Sequence, residues 1–214
     1  DVGSACAAVS VLRERPLDAV ELMDRASLRS VEEKPGMPEW LRDLAPEAAA
    51  LLVETRSDSS GGLEQNIREV ANAVSGCPTI RPAAFTSRPD EYARLWDIRK
   101  GLFPSVGAAR RIGTTVIIED VAFPVPRLAE ATADLRALFE RHGYGEAIIF
   151  GHALEGNLHF VLTQDFGTAV EVERYRGFLD ALADLVVGRF DGSLKAEHGT
   201  GRNMAPFVER EWGP

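Results

Sequence analysis

The sequence predicts an α+β fold: one antiparallel sheet covered by helices on one face, built from ferredoxin-like strand–helix–strand repeats. Short apolar segments that are typical of strands alternate with longer segments whose apolar residues recur every three or four positions. A chain of 214 residues, of which 45% are hydrophobic, is long enough to bury a core of its own. We therefore expect a single domain over residues 1–214, with an irregular insertion at 30–46, where three prolines cluster.

The first half of the chain contains three predicted helices and three predicted strands. The clearest helix is 62–75, in which Leu63, Ile67, Val70 and Val74 follow helical spacing. The remaining segments are apolar or small-residue runs that are bounded by Pro, Gly or Ser. The complete set is helices at 2–13, 62–75 and 89–100, and strands at 17–23, 49–54 and 79–85.

The second half of the chain repeats this scheme. The β-branched residues at its beginning predict a strand, and apolar residues at helical spacing from Leu128 to Leu138 then predict a helix that Gly143 ends. The segment 101–113, between the two halves, reads as a loop. The complete set is strands at 114–123, 147–150 and 158–163, and helices at 124–142 and 170–189.

The charge balance and the distribution of apolar residues exclude several classes of protein. The 33 acidic against 24 basic residues give a formal net charge of -9, which argues against general nucleic-acid binding. No apolar run approaches the roughly 18–20 residues of a transmembrane segment. Residues 1–4 do not show the charged and then apolar pattern of a signal peptide, so we expect none. We expect a fragment of a longer protein, since no Met begins it, located in the cytoplasm or peripherally on the inner face of the membrane.

Three of the four histidines lie in two short polar motifs. Residues 151–159 read Gly-His-Ala-Leu-Glu-Gly-Asn-Leu-His, and residues 196–201 read Ala-Glu-His-Gly-Thr-Gly. Histidine is the commonest metal ligand and also the side chain that titrates nearest neutral pH. Histidines and carboxylates that are gathered between glycines therefore predict a metal site or an acid–base site.

The spacing of the first motif predicts a hairpin. His152 and His159 are seven residues apart, which is about 10.5 Å along a helix and places them on opposite faces of a single strand. A two-residue turn at Glu155 and Gly156 would place the two histidines opposite each other, with Cβ atoms about 4.5–5.5 Å apart. Glu197 is the natural anionic third ligand, and such a set leaves a coordination position open, as catalytic zinc sites do.

The same residues allow other interpretations. A set of two histidines and one carboxylate also occurs in iron oxygenases, so the ligand types do not name the metal. Paired histidines can simply stack across two strands. The densest basic stretch, formed by Arg99, Lys100, Arg110 and Arg111, either binds carboxylates or forms a solvated loop.

Three further segments accompany the histidine motifs: Ala-Val-Glu-Leu-Met-Asp at 19–24, Leu-Trp-Asp-Ile-Arg-Lys at 95–100 and Glu-Asp-Val-Ala-Phe-Pro at 119–124. Together they resemble the C-terminal, substrate-side domain of FAD-linked oxidases of the vanillyl-alcohol oxidase superfamily. The resemblance is strongest to the D-2-hydroxyacid dehydrogenases, which act on D-lactate, D-2-hydroxyglutarate or glycolate. Since the chain has neither a GxGxxG after a strand nor a GxxxxGK[ST] segment, the resemblance implies that FAD is bound mainly by an N-terminal domain outside this chain.

The resemblance assigns roles to six residues. They are the divalent-metal ligands His152, His159 and Glu197, with zinc as the first candidate metal, the general base His198, the substrate-carboxylate ligand Arg99, and Asn157, which with Glu197 lines the flavin–substrate cavity. The implied reaction oxidises a small-molecule D-2-hydroxy acid to the 2-oxo acid, with hydride passing to flavin N5 and on to an electron acceptor. The fragment alone would be inactive.

Two departures and two alternatives accompany the resemblance. Glu155 stands where the family usually has aspartate, and Ile118 stands where some hydroxyglutarate enzymes have lysine. The segment 99–124 looks most like that of large bacterial members, which implies an iron–sulfur cluster elsewhere in the longer chain. The alternatives are a metal-independent FAD-linked alcohol oxidase domain and a ferredoxin-like binding or regulatory module with structural histidines.

Overall fold

The fold is described by a computed structural model for residues 1–199 and 201–214, so that Thr200 of the second histidine motif lies outside the described residues. The strands are β1 (Ala19–Asp24), β2 (Ala49–Glu54), β3 (Thr114–Ala122), β4 (Ile148–His152) and β5 (Asn157–Asp165). The α-helices of the described residues are α1 (Val2–Leu12), α2 (Arg25–Arg29), α3 (Ser60–Val74), α4 (Pro89–Ala109), α5 (Leu128–Arg141), α6 (Ala169–Ala183), α7 (Gly201–Met204) and α8 (Val208–Trp212).

The five strands form one sheet in the order β2-β1-β4-β5-β3, and every neighbouring pair is antiparallel. The helix α5 connects β3 to β4, and these two strands lie on either side of β5, so they run parallel to each other. This is a strand–helix–strand unit with a third strand between its members. The predicted α+β class and antiparallel sheet are confirmed.

Three of the longer helices are capped by the side chain of the residue that precedes them. Asp1, Ser59 and Thr168 precede α1, α3 and α6, and each accepts a hydrogen bond from the backbone N–H three residues further on. Such a cap satisfies one of the N–H groups that a helix leaves unpaired at its start and is typically worth about 1 kcal/mol. The sequence therefore marks where these helices begin.

Helices cover both faces of the sheet, so the expectation of one covered face was wrong. The first face packs against α1, α3, α5 and α6 in a large apolar core. The second face packs against α2 and α4, from which Ile98 and Leu102 are buried. The segment 30–46, predicted to be irregular, has a short 3-10 helix at Glu39–Leu41 and contributes buried Val31 and Leu41 to this second core. The buried apolar residues of α4 and of segment 30–46 therefore form a second core, on the second face of the sheet.

Two predicted elements differ from the structure. The segment 79–85 forms no strand, because Pro78 and Pro82 lack the N–H groups that a ladder requires. The predicted loop at 101–113 is helical as far as Ala109, since Leu102 continues the buried face of α4 and Ser105 is also buried. Among the described residues, no helix has both the length and the hydropathy needed to cross a membrane.

Candidate active site

A row of polar side chains lies on the second face of the sheet, at one end of four adjacent strands. Glu21 of β1 is directly opposite His152 of β4, and Asp120 of β3 is directly opposite His159 of β5. Glu21, Asp120 and His159 are buried. Since buried ionisable groups are costly unless they are paired, such a row indicates a built site.

The hairpin between β4 and β5 differs in register from the prediction. His159 is opposite Phe150 rather than His152, because the connection uses a 3-10 turn at Ala153–Glu155 and ends at Gly156 with φ 67°. Gly156 is required there, since a Cβ at that position would lie 2.0 Å from the carbonyl oxygen of Phe123. A shift of two residues keeps both histidines on the same face. Their ring centroids lie 5.3 Å apart.

Glu197 reaches the two histidines from the C-terminal segment. Its Oε1 lies 3.4 Å from His152 Nε2 and 3.1 Å from His159 Nε2. The three candidate ligand atoms all lie within 4.8 Å of one another. Ligands about 2.0 Å from a tetrahedral ion are about 3.3 Å from each other. The donor atoms therefore have the chemistry and the spacing of a divalent-metal site.

Glu21 is paired with His152. Its Oε1 lies 2.6 Å from His152 Nδ1, and because a carboxylate only accepts, Nδ1 carries a proton, so that in the neutral ring the lone pair is on Nε2. Burial would raise the pKa of Glu21, but the His152 hydrogen bond and the Arg99 charge hold this pKa below its ordinary value. The same hydrogen bond raises the pKa of His152. A carboxylate behind a ligating histidine is the usual support of metal sites.

His159 is more deeply buried than His152, with 4% of its side chain exposed against 40%. Burial lowers its pKa to about 4, so the ring is neutral at neutral pH and can act as a ligand. Its Nδ1 has no hydrogen-bond partner among residues 1–199 and 201–214. The ring stacks against that of His198, with centroids 4.9 Å apart and planes at 18°.

Asp120 holds the segment that carries Glu197 and His198. Its Oδ2 accepts hydrogen bonds from the backbone N–H of Glu197 and, at 3.0 Å, from that of His198. His198 Nδ1 lies 3.5 Å from Asp120 Oδ1, and its Nε2 lies 3.6 Å from Glu197 Oε1. Asp120, His159 and His198 also form a second group of donors within 4.8 Å. Asp120 therefore sets the backbone of this segment and lies on the Nδ1 side of His198.

Of the predicted basic stretch, Arg99 reaches the site. Its Nε donates to Glu21 Oε2 at 2.6 Å, and its guanidinium lies 4.4 Å from the centre of the Phe150 ring. Arg111 instead pairs with Asp165, at the other end of β5. The structure thus divides the basic stretch between two places.

Asn157 lies at the first position of β5, two residues before His159. Its side chain is buried, with 5% of the residue exposed, and Oδ1 has no hydrogen-bond partner among the described residues. Buried amides are normally paired. This unpaired oxygen is compatible with a contact to a group from outside the chain.

Sequence reasoning missed two residues of the site, Glu21 and Asp120. Both lie inside segments that were recognised as characteristic, 19–24 and 119–124, but neither was given a role. A signal was present, since each is a carboxylate within an otherwise apolar strand, where an unpaired charge would be costly. Their partners could not be named, because they lie in distant parts of the sequence.

Known proteins resemble the chain over half to nine-tenths of its length. A putative D-lactate dehydrogenase, mitochondrial, of Schizosaccharomyces pombe is 29% identical over 90% of this chain and 36% of its own length. Glycolate oxidase subunit GlcD of Bacillus subtilis is 26% identical over 89% of the chain and 38% of its own length. D-2-hydroxyglutarate dehydrogenase of Pseudomonas putida is 40% identical over 52% of the chain and 11% of its own length.

The chain therefore spans little more than a third of the first two relatives, at 36% and 38% of their lengths. The family described as FAD linked oxidases, C-terminal domain, matches residues 1–214. This match agrees with the resemblance that the histidine motifs predicted. The chain belongs to the family of FAD linked oxidases, C-terminal domain.

Proposed function

We propose that this chain is the substrate-binding domain of a flavin-dependent oxidoreductase that converts a D-2-hydroxy acid to the 2-oxo acid. The observation that carries the proposal is the convergence of His152, His159 and Glu197, with His198 beside them. Family membership supports the flavin, and the names of the relatives, which are D-lactate, glycolate and D-2-hydroxyglutarate enzymes, support the substrate class.

The three donors would hold a divalent cation, and zinc suits a set of two nitrogens and one carboxylate with an open position. When bound, such a cation supplies Lewis acidity that favours ionisation of the 2-hydroxyl group. The chain prepares the site in two ways. Glu21 presents the lone pair of His152 Nε2, and Asp120 fixes the backbone of Glu197.

His198 takes the proton of the substrate 2-hydroxyl at Nε2. Asp120 lies on the Nδ1 side of the ring, so Nε2 remains the nitrogen that faces the donor cluster. Removing this proton assists departure of the hydride from C2, since the electrons of the O–H bond form the new carbonyl. FAD, bound mainly by residues outside this chain, supplies the hydride acceptor.

Arg99 and Asn157 complete the proposed cavity. The Nε of Arg99 is bonded to Glu21, which leaves its two terminal nitrogens to bind the substrate carboxylate. Asn157, whose Oδ1 has no partner among the described residues, and Glu197 would line the space between substrate and flavin. The iron–sulfur cluster stays a prediction that rests on the resemblance of residues 99–124.

One observation favours the metal-independent alternatives. The ring of His159 already stacks against His198, and His152 is already bonded to Glu21, so these histidines have structural contacts without an ion. The spacing of the three donors favours the metal. Metal analysis of the purified full-length protein distinguishes the metal site from the metal-independent alternatives, since the metal site predicts one ion per chain.

The proposal is tested with His198→Ala and His152→Ala in the full-length enzyme. His198→Ala should lower kcat by roughly 10²–10⁴-fold, the usual worth of a positioned base, and retain the metal. His152→Ala should lose the metal together with activity. The control is His142→Ala, because His142 lies against Phe178 on the other face of the sheet and should leave both unchanged. Normal turnover in His198→Ala would contradict the assignment of the base.

A further inference from the structure

Both oxygens of the Glu21 carboxylate are engaged by groups of the proposed site. His152 Nδ1 donates to Oε1 and Arg99 Nε donates to Oε2, each at 2.6 Å. The Glu21 side chain is only 4% exposed, so water competes little for either oxygen. Charge-assisted hydrogen bonds of this kind are about twice as strong as neutral ones and restrict the direction of both partners.

Each bond constrains a different group. The bond to His152 fixes the tautomer and the ring plane, so that Nε2 faces His159 and Glu197. The bond to Arg99 fixes the guanidinium through Nε, and the Phe150 ring 4.4 Å below it restricts rotation further. A planar fork that is held at Nε keeps its two terminal nitrogens in a set direction.

Resting on the proposed function, we propose that Glu21 is a positioning residue that aligns the two anchors of the substrate with each other. His152 belongs to the site for the metal, which would bind the 2-hydroxyl end, and Arg99 binds the carboxylate. One buried carboxylate on β1 thus sets the distance and orientation between them. A 2-hydroxy acid carries these two groups on adjacent carbons, so both anchors must be placed together.

The same strand contains a matched control. Asp24 is as deeply buried as Glu21, but its partners are the backbone N–H groups of Ser27 and Ile149 and the side chain of Arg136. None of these groups belongs to the site. Loss of the Asp24 charge should therefore affect folding and leave the site intact.

The experiment uses the full-length enzyme, freed of metal with a chelator, and Zn²⁺ as the probe. Glu21→Gln should weaken Zn²⁺ binding by about 10–100-fold in calorimetric titration, the usual effect of removing a carboxylate behind a ligating histidine. At saturating Zn²⁺ it should still raise KM for the D-2-hydroxy acid about tenfold or more, because Arg99 is no longer directed. Arg99→Lys should raise KM and leave Zn²⁺ affinity unchanged.

The double variant Glu21→Gln/Arg99→Lys tests whether both effects come from Glu21. Its KM should rise less than the product of the two single effects, since Glu21 acts on KM through Arg99, whereas the loss of Zn²⁺ affinity should match that of Glu21→Gln. Asp24→Asn should lower Tm with wild-type Zn²⁺ affinity and KM. If Glu21→Gln does not fold, Glu21→Asp gives the same test, because it keeps the charge but is one methylene too short to reach both partners.

The outcomes separate the two proposals. If Glu21→Gln lowers Tm but keeps wild-type Zn²⁺ affinity and KM, Glu21 is merely structural and the inference is overturned. If Zn²⁺ affinity falls and KM does not, the alignment of two anchors is also overturned. If the wild-type protein binds no Zn²⁺, or His152→Ala binds it normally, the proposed function itself fails.

Discussion

The two faces of the sheet are made by the same five strands but carry different side chains. The first face carries the large apolar core, with Leu22, Phe160 and Leu162 buried in it, although Asp24 and Gln164 are also buried on this face. The second face is apolar at one end, around Phe150 and Val161, and polar at the other, where the candidate ligands lie. Helices pack on both faces, but the polar end is partly open to solvent, since the side chains of His152 and Glu197 are 40% and 44% exposed.

The difference shows how a short strand supports a core and a site at once. Neighbouring residues point to opposite faces, so Leu22 and Phe160 enter the first core while Glu21 and His159 enter the site. The apolar neighbour anchors the strand, and the strand then positions the polar one. The two roles should therefore be separable by substitution on one face or the other.

The largest expected effect is a loss of stability on substitution in the apolar core of the first face. Phe178 is fully buried, and its ring contacts those of Phe139, Tyr144 and Phe160. Phe178→Ala should lower the free energy of unfolding by about 3–5 kcal/mol, because it removes apolar contacts and leaves a cavity. Urea unfolding with a chelator present measures this loss. Zn²⁺ affinity of the folded protein should stay at the wild-type value; a parallel loss of affinity would show that the faces are coupled.

The next effect is a pH dependence on the second face. In the metal-free protein, the lowered pKa of His159, about 4, means that the unfolded chain binds a proton between about pH 4 and 6.5 that the folded chain does not. The free energy of unfolding should rise with pH across this window, by no more than about 3 kcal/mol from this group. Unfolding at a series of pH values should show a smaller rise for His159→Asn.

His152 should have the opposite dependence. Its pKa is raised by the hydrogen bond to Glu21, so its contribution to stability is fully present below about pH 6.5 and is lost as pH rises through the folded-state pKa. The two histidines are told apart by the slope of the free energy of unfolding against pH. If this slope below about pH 6.5 is the same in the wild type and in His159→Asn, the burial of a neutral His159 is contradicted.

The smallest expected effect is a loss of Zn²⁺ affinity on substitution of Asp120, which holds the C-terminal segment. Asp120→Asn replaces the carboxylate that accepts the N–H groups of Glu197 and His198, so Zn²⁺ affinity should fall by about 10–100-fold, or about 1.4–2.7 kcal/mol. Its neighbour Glu119 is bonded to Asn203, outside the donor set, and Glu119→Gln is the control with unchanged affinity. Calorimetric titration compares them; equal losses would mean that general loosening of β3, rather than Asp120, sets the affinity.

The elements were predicted best where local periodicity is strong. The strand at 49–54 coincides with β2, and the predicted helix at 62–75 overlaps nearly all of α3. Prediction failed at 79–85, where Pro78 and Pro82 lack the N–H groups that a strand needs, and at 101–113, where buried Leu102 and Ser105 keep α4 helical. Tertiary packing decided the second case.

The family and the α+β class could be read from the sequence alone, because they depend on short motifs and local spacing. The sequence also predicted that His152 and His159 lie on one face of a hairpin, and the choice of Glu197 as their partner rested on its charge. Tertiary structure decided which carboxylates support them. Glu21 meets His152 across 131 residues of sequence, and Asp120 meets Glu197 across 77. Such contacts follow from strand order and register, which arise from packing of the whole chain and which no local pattern encodes.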